Sequence, residues 1–211
     1  MSYYLRDPAA IYRRSFEIVR QECDTNHLPE DLAEVVLRLV HACGMTDIIQ
    51  DLHWTDDVAT KARNALKSGA PIIADCQMVA HGIISRRLPA ENEVICKLGH
   101  LDSEIRATKL NTTRSAAAVD GWIPHLDNAV VAIGNAPTAL FRLLEVLADG
   151  APKPAAIFAF PVGFVGASES KNVLISCDIN VPFITLMGRR GGSSLAAAAV
   201  NAIAGETEDD Q

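Results

Sequence analysis

Among the titratable side chains, His41 is the one whose position calls for a chemical explanation. It follows an apolar stripe of Leu32, Val35, Val36, Leu39 and Val40 spaced as one face of a helix. At roughly 100° per residue it falls opposite the centre of that stripe, so the core face does not account for it. It also lies in the last turn before Gly44, a helix stop. A cation there is favoured by the helix dipole, by ~0.3–1 kcal/mol. That predicts a pKa above the reference of about 6.5, and a proton donor available near neutral pH. A capping or surface histidine is the plainer alternative and stays open. His27, His53, His100 and His125 read as surface positions, and His81 as a solvated turn residue. No pair has the i, i+4 spacing of a zinc motif and no His/Cys cluster occurs, so no metal site is expected.

Arginine placement is the second signal. Arg13-Arg14, Arg86-Arg87, Arg114 and Arg189-Arg190 are far apart in the chain. A guanidinium offers a fork that matches a carboxylate, and several forks converging would orient a polyanion. Taken singly, each also reads as solubilising surface charge. Arg189 and Arg190 adjoin Gly191-Gly192-Ser193 in a turn, which favours a functional reading for at least one of them. The glycine turns are not nucleotide loops: no G-x-G-x-x-G follows a strand and no P-loop occurs. No G-x-S-x-G elbow is present either, which disfavours a serine hydrolase. Cys76 beside Asp75 reads as a small buried thiol rather than a nucleophile. No cofactor is expected.

These residues need a scaffold, and the second half of the chain supplies three junctions of one kind. Apolar runs at 129–133, 155–160 and 182–187 lead into Gly134-Asn135-Ala136-Pro137, Pro161-Val162-Gly163-Phe164 and Gly188-Arg189-Arg190-Gly191-Gly192-Ser193, each followed by a helix-forming stretch. In an open α/β sheet such turns gather at the carboxyl ends of the strands, where ligands bind. Helix starts there present unpaired N–H groups that suit carboxylates or phosphates. Two more strands are read at 70–74 and 93–98. Helices are read from Asp7-Pro8, from Pro29-Glu30-Asp31, from Thr55 to Gly69, over 76–84, 102–110 and 114–122, and after each junction. Strands alternating with helices predict an α/β fold: three layers, α/β/α, with a mainly parallel sheet in a single domain over 1–205. Residues 206–211 read as an acidic disordered tail.

Composition narrows the function. A net charge of -7 argues against a nucleic-acid partner. Nearly half the residues are apolar, enough for a core without disulfides. Five scattered cysteines read as reduced thiols, and no leader or membrane-length run is seen, so a cytoplasmic protein with no membrane partner is expected.

The run Val131-Ala132-Ile133-Gly134-Asn135-Ala136-Pro137-Thr138-Ala139-Leu140 resembles the precorrin-8X methylmutases of corrin biosynthesis. So do Pro161-Val162-Gly163-Phe164-Val165-Gly166-Ala167-Ser168-Glu169-Ser170-Lys171 and Gly188-Arg189-Arg190-Gly191-Gly192-Ser193. In the first half Arg6-Asp7-Pro8, Ser15-Phe16-Glu17-Ile18-Val19-Arg20 and Arg38-Leu39-Val40-His41 agree with similar motifs. The resemblance covers all but the acidic tail. It implies an isomerase that moves a methyl group from C-11 to C-12 of a corrin precursor by a 1,5-sigmatropic shift, yielding hydrogenobyrinic acid. It implies His41 as the proton donor to a ring nitrogen, Ser15 as a substrate contact, and a homodimer with pockets near the subunit interface. With such a polyacidic ligand, Arg14, Arg86, Arg114, Asn135, Arg189, Gly191 and Ser193 become candidate substrate-binding residues. The family's threonine in the turn after Gly82 is missing here, where Ile83-Ile84-Ser85 stands. Two alternatives stay open: the same step on a cobalt-containing substrate, and a non-catalytic tetrapyrrole carrier.

Overall fold

Local chemistry sets most of the element boundaries in the computed structural model, which describes residues 4–205; the expected acidic tail, 206–211, lies outside them. Helix α1 (Pro8–Glu22) starts at Asp7, whose side chain accepts the Ala9 N–H at 3.1 Å, with proline at the first position. Helix α2 (Glu30–Cys43) has two acids in its first turn and ends at Gly44 in the left-handed region, φ 69°. A 3-10 turn (Thr46–Asp51) leads into β1 (Leu52–Trp54), then α3 (Val58–Lys67) and β2 (Ile72–Ala74). Helix α4 (Gln77–Gly82), a 3-10 turn (Ser85–Arg87), β3 (Val94–Ile95), α5 (Leu101–Lys109) and α6 (Arg114–Asp120) follow. The three expected junctions are β4 (Val130–Ile133) to α7 (Pro137–Ala148), β5 (Ala156–Ala159) to α8 (Ala167–Ser176), and β6 (Phe183–Leu186) to α9 (Ser193–Ala204).

The six strands form one sheet in the order β1-β6-β5-β4-β2-β3, parallel except for β1, which pairs antiparallel with β6. Side chains alternate across it. Ile72, Ala74, Val130, Ala132, Ala156 and Phe158 face the layer containing α2, α3 and α9. Ile73, Val131, Ile133, Ile157 and Ala159 face α7 and α8, with Trp122 buried among them. The result is the expected three-layer α/β/α single domain.

Two details differ from the sequence reading. Strand β1 was not anticipated, because three residues after a 3-10 turn carry no alternation to detect. The strand read at 93–98 pairs only over Val94–Ile95, since it lies at the sheet's edge beyond β2. The chain leaves β2 for β3 on one side and then returns to place β4 on the other. The carboxyl ends of β2 and β4 therefore bound the topological switch point, where an open α/β sheet usually takes its ligand.

Candidate active site

That crevice is already filled from within. Asp75 directly follows β2, and its carboxylate accepts the N–H groups of Gly134 (2.9 Å), Asn135 (3.0 Å) and Ala136 (2.8 Å). The start of α7, expected to hold a ligand anion, thus holds the protein's own. Burial raises the Asp75 pKa, and the three N–H donors pull it back down. The neighbouring Cys76 thiol is buried and lies 3.4 Å from the hydroxyl of Ser193, at the start of α9. The crowded turns explain two glycines. A Cβ on Gly134 would stand 2.6 Å from Ser193 Cα, and one on Gly191 2.3 Å from the Phe160 carbonyl.

His41 stands on the flank where α1, α2, α4 and α9 meet, beside a cavity that reaches Ser194 in the first turn of α9. Its Nδ1 is 3.0 Å from Ser15 Oγ, joining residues 26 apart in the chain. Its ring stacks on Phe16 with centroids 4.7 Å apart and planes at 18°. Tyr12, one turn before Phe16, tilts against Phe16 at 4.7 Å. Arg38, one turn before His41, donates through Nη2 to the Tyr12 hydroxyl at 2.6 Å. Next to this cluster is a cavity of about 300 Å³. From α2 it is lined by Arg38, His41 and Ala42, from α4 by Gly82, and from α9 by Ser194, Ala197, Ala198 and Asn201. Small residues make the α4–α9 wall thin: a Cβ on Gly82 would be 2.7 Å from the Ala197 methyl. Asn201 braces the turn after α4 by accepting the Ile84 N–H and donating to the Gly82 carbonyl. Ile84 thus contributes its main chain, and Ser85 is exposed at the start of the next turn.

The expected upward shift of the His41 pKa is reversed. Partial burial against its neighbours, then the Arg38 guanidinium, hold it below the ordinary 6.5. The position in the last turn of α2 was read correctly, and burial and a like charge set the direction of the shift.

The other anticipated residues are placed as follows. Arg14 is exposed on α1 and pairs with Glu17 at 3.2 Å. Arg86 lies exposed in the 3-10 turn that follows Gly82. Arg114, at the start of α6, is 3.6 Å from Glu104. It is joined to the carboxyl edge of the sheet through the neighbouring Thr113, whose hydroxyl donates to Thr138 at 2.8 Å. Asn135 engages Asp75 through its main chain and leaves its side chain exposed. Arg189 is exposed over the Phe164 ring at 5.1 Å. Arg190 pairs with Asp47 and Asp51, tying the β6–α9 turn to the 3-10 turn before β1. The site thus brings Ser15 to His41, while Arg114, Asn135, Arg189, Gly191 and Ser193 sit along the carboxyl crest. Sequence reasoning did not reach Tyr12 and Arg38 as partners of this site, although their one-turn spacing from Phe16 and His41 was visible. It also missed Lys171, fully buried, whose ammonium donates to the carbonyls of Gly188 (3.0 Å) and Arg190 (2.6 Å) and fixes the same turn. A wider polar cleft of about 840 Å³, reached by Lys61 and Lys153, opens at the amino ends of β4, β5 and β6 and includes none of the anticipated residues.

The sheet thus has its switch point plugged by Asp75, with the candidate histidine beside a flank cavity. The chain belongs to the precorrin-8X methylmutase family, isomerases of cobalamin biosynthesis: the family's sequence model matches residues 10–206. It is 52% identical over 205 residues to the precorrin-8X methylmutase of Pseudomonas aeruginosa, covering 97% of this chain and 99% of that one. It is 35% identical to the cobalt-precorrin-8 methylmutase of Priestia megaterium, covering 93% of this chain and 87% of that one. The crystal structure of precorrin-8X methylmutase from Thermus thermophilus superposes with a TM-score of 0.84 at 36% identity, covering 92% and 94% of the two chains.

Proposed function

We propose that this chain converts precorrin-8X to hydrogenobyrinic acid by the 1,5-sigmatropic shift of a methyl group from C-11 to C-12, with His41 as general acid. The observation that carries the reading is the Ser15–His41 contact at 3.0 Å beside the flank cavity. With Nδ1 engaged by a hydroxyl, Nε2 is the nitrogen left to hand a proton to a ring nitrogen of the ligand. The Phe16 stack limits how far the imidazole can tilt. The migrating methyl stays within one molecule, so no nucleophile or hydride donor is required. The residues must hold one tautomer of the macrocycle and supply a proton, a contribution of ~10²–10⁴-fold.

Ser15, Arg14, Arg86, Arg114, Asn135, Arg189, Gly191 and Ser193 form the proposed substrate-binding set. The arginines take the carboxylates of the tetrapyrrole, and Gly191 lets the main chain come close. A cavity of about 300 Å³ admits an edge of such a ligand; pockets that enclose drug-sized molecules run ~300–1,000 Å³. The rest must lie against a further surface. Phe164 and Val165 are 82% and 89% exposed beside Arg189, and a homodimer partner is the proposed cover. Higher identity to the relative named for precorrin-8X than to the one named for the cobalt form favours the metal-free substrate. Five free cysteines support a cytoplasmic location, and no helix among the described residues is long and apolar enough to cross a membrane. We take 1–205 as the folded domain and 206–211 as its acidic tail.

The test is conversion of precorrin-8X by the purified protein, followed by absorbance and NMR. His41→Ala is expected to bind pigment and fail to convert it. Wild-type turnover by His41→Ala would refute the acid role, and a wild-type protein that binds pigment without converting it would favour the carrier alternative.

A further inference from the structure

Two features of the β6–α9 turn have no role in the chemistry proposed above: the buried ammonium of Lys171, and the different fates of Arg189 and Arg190. Arg190 is committed to the protein, since its guanidinium pairs with Asp47 and Asp51. Arg189 is exposed, with its guanidinium carbon 5.1 Å from the centre of the Phe164 ring. The main chain on either side of Arg189 is held from below. The Gly188 carbonyl accepts from Lys171 Nζ at 3.0 Å, and the Arg190 carbonyl from the same nitrogen at 2.6 Å. Between them the Arg189 carbonyl accepts the Gly163 N–H at 3.2 Å. The peptide groups before and after the Arg189 Cα are therefore both tied down. Peptide groups are planar, so tying both sets φ and ψ and with them the direction of the side chain. The residue after Gly163 is Phe164, so the bond that holds Arg189 also brings its ring partner alongside.

We propose that Lys171 is a positioning residue for substrate binding: from inside the fold it orients Arg189 toward a carboxylate of the tetrapyrrole. The inference rests on the reading of Arg189 as a substrate-binding residue and is independent of the role of His41. Lys171 is fully buried on α8 and offers no surface to a ligand, so its effect passes through the turn. An arginine on an unsupported turn must be ordered as the ligand arrives, which weakens binding; one aimed beforehand avoids that loss. An ammonium suits this task because one nitrogen carries three donors and can serve two carbonyls at once. Desolvation lowers its pKa to about 8, which leaves it protonated at neutral pH. The helix that carries it is seated in the core through Ala167 and Leu174, both fully buried, so the amine acts from a fixed base.

The experiment is a double-mutant cycle on the full chain, with hydrogenobyrinic acid as the probe and affinity read by calorimetry at neutral pH. Arg189→Met should bind the probe roughly tenfold or more weakly. Lys171→Met keeps the length of the side chain and removes the donors; it should weaken binding roughly three- to tenfold. In the Arg189→Met background the same substitution should change affinity by less than about twofold, because nothing is left to aim. A merely structural role would give the same loss in both backgrounds. Thermal unfolding shows which variants are folded at the assay temperature. If Lys171→Met is not, the cycle is decided by Lys171→Gln, whose amide still donates from one bond nearer the backbone and should give a smaller loss with the same dependence on Arg189. Equal losses with and without Arg189, or unchanged affinity in the folded Lys171 variants, would overturn the positioning role while leaving Arg189 as a ligand contact. Wild-type affinity in Arg189→Met would remove Arg189 from the binding set and the positioning role with it.

Discussion

Lys171 offers a sharp test of how the β6–α9 turn is held. The side chain is fully buried, and its partners are two carbonyls rather than a carboxylate. Desolvation lowers its pKa from 10.5 to about 8. At about 1.4 kcal/mol per pH unit, that difference corresponds to ~3 kcal/mol of penalty on the buried ammonium. The sign is fixed by proton counting. Between pH 8 and 10.5 the unfolded chain holds a proton on this amine that the folded chain has released, so wild-type stability gains with rising pH in that window. The perturbation is Lys171→Met, which keeps length and volume and removes the titration. Four thiols, Cys23, Cys43, Cys96 and Cys177, have pKa values raised chiefly by burial and act in the opposite sense above pH 8. They are present in both proteins and cancel in the comparison. Urea unfolding under reducing conditions at pH 7.5 and pH 10 should show the wild type gaining ~2 kcal/mol relative to the variant between the two. Stabilities that run parallel with pH would refute the buried-ammonium account. The variant should also be less stable near pH 7.5, because two carbonyls lose their donor at ~1–3 kcal/mol each, offset by relief of the charge.

Other expectations can be checked alongside. Because burial and Arg38 hold the His41 pKa below 6.5 in the free protein, kcat/KM should fall as pH rises through a value under 6.5; a plateau extending through pH 8 would contradict the acid role. Ser15→Ala should leave thermal stability nearly unchanged and lower kcat, since the Ser15–His41 pair lies at the edge of the helical layer. Asp75→Ala should destabilise the fold by several kcal/mol in urea titrations, because three N–H groups at the start of α7 lose one common acceptor. Gly191→Ala should cost ~1–3 kcal/mol in thermal unfolding from the 2.3 Å approach to the Phe160 carbonyl.

The layers were legible because their signals are local. The 3.6-residue stripe of α2 gave its buried face, with Leu32, Val35, Val36, Leu39 and Val40 all inside. The apolar runs that became β4, β5 and β6 read correctly because strands covered on both sides need no alternation. Strand β1 escaped because its three residues are defined by pairing with β6, more than a hundred positions away. In the site, sequence placed His41 off the core face and the family resemblance implied Ser15 as a substrate contact, but the meeting of the two depends on how α1 docks on α2. The pKa of His41 was misjudged because the dipole argument took no account of burial or of the Arg38 guanidinium one turn earlier on the same helix. Lys171 sits in a polar stretch, Ser168-Glu169-Ser170-Lys171-Asn172, where nothing in the pattern marks one lysine as interior.

An α/β enzyme ordinarily offers chemists its crest, where nucleotide mimics lodge. Here such a compound would first have to evict a carboxylate already gripped by three amides at 2.8–3.0 Å. An inhibitor of this protein is better drawn as a flat, acid-fringed plate that slides edgewise against the alanine methyls of α9.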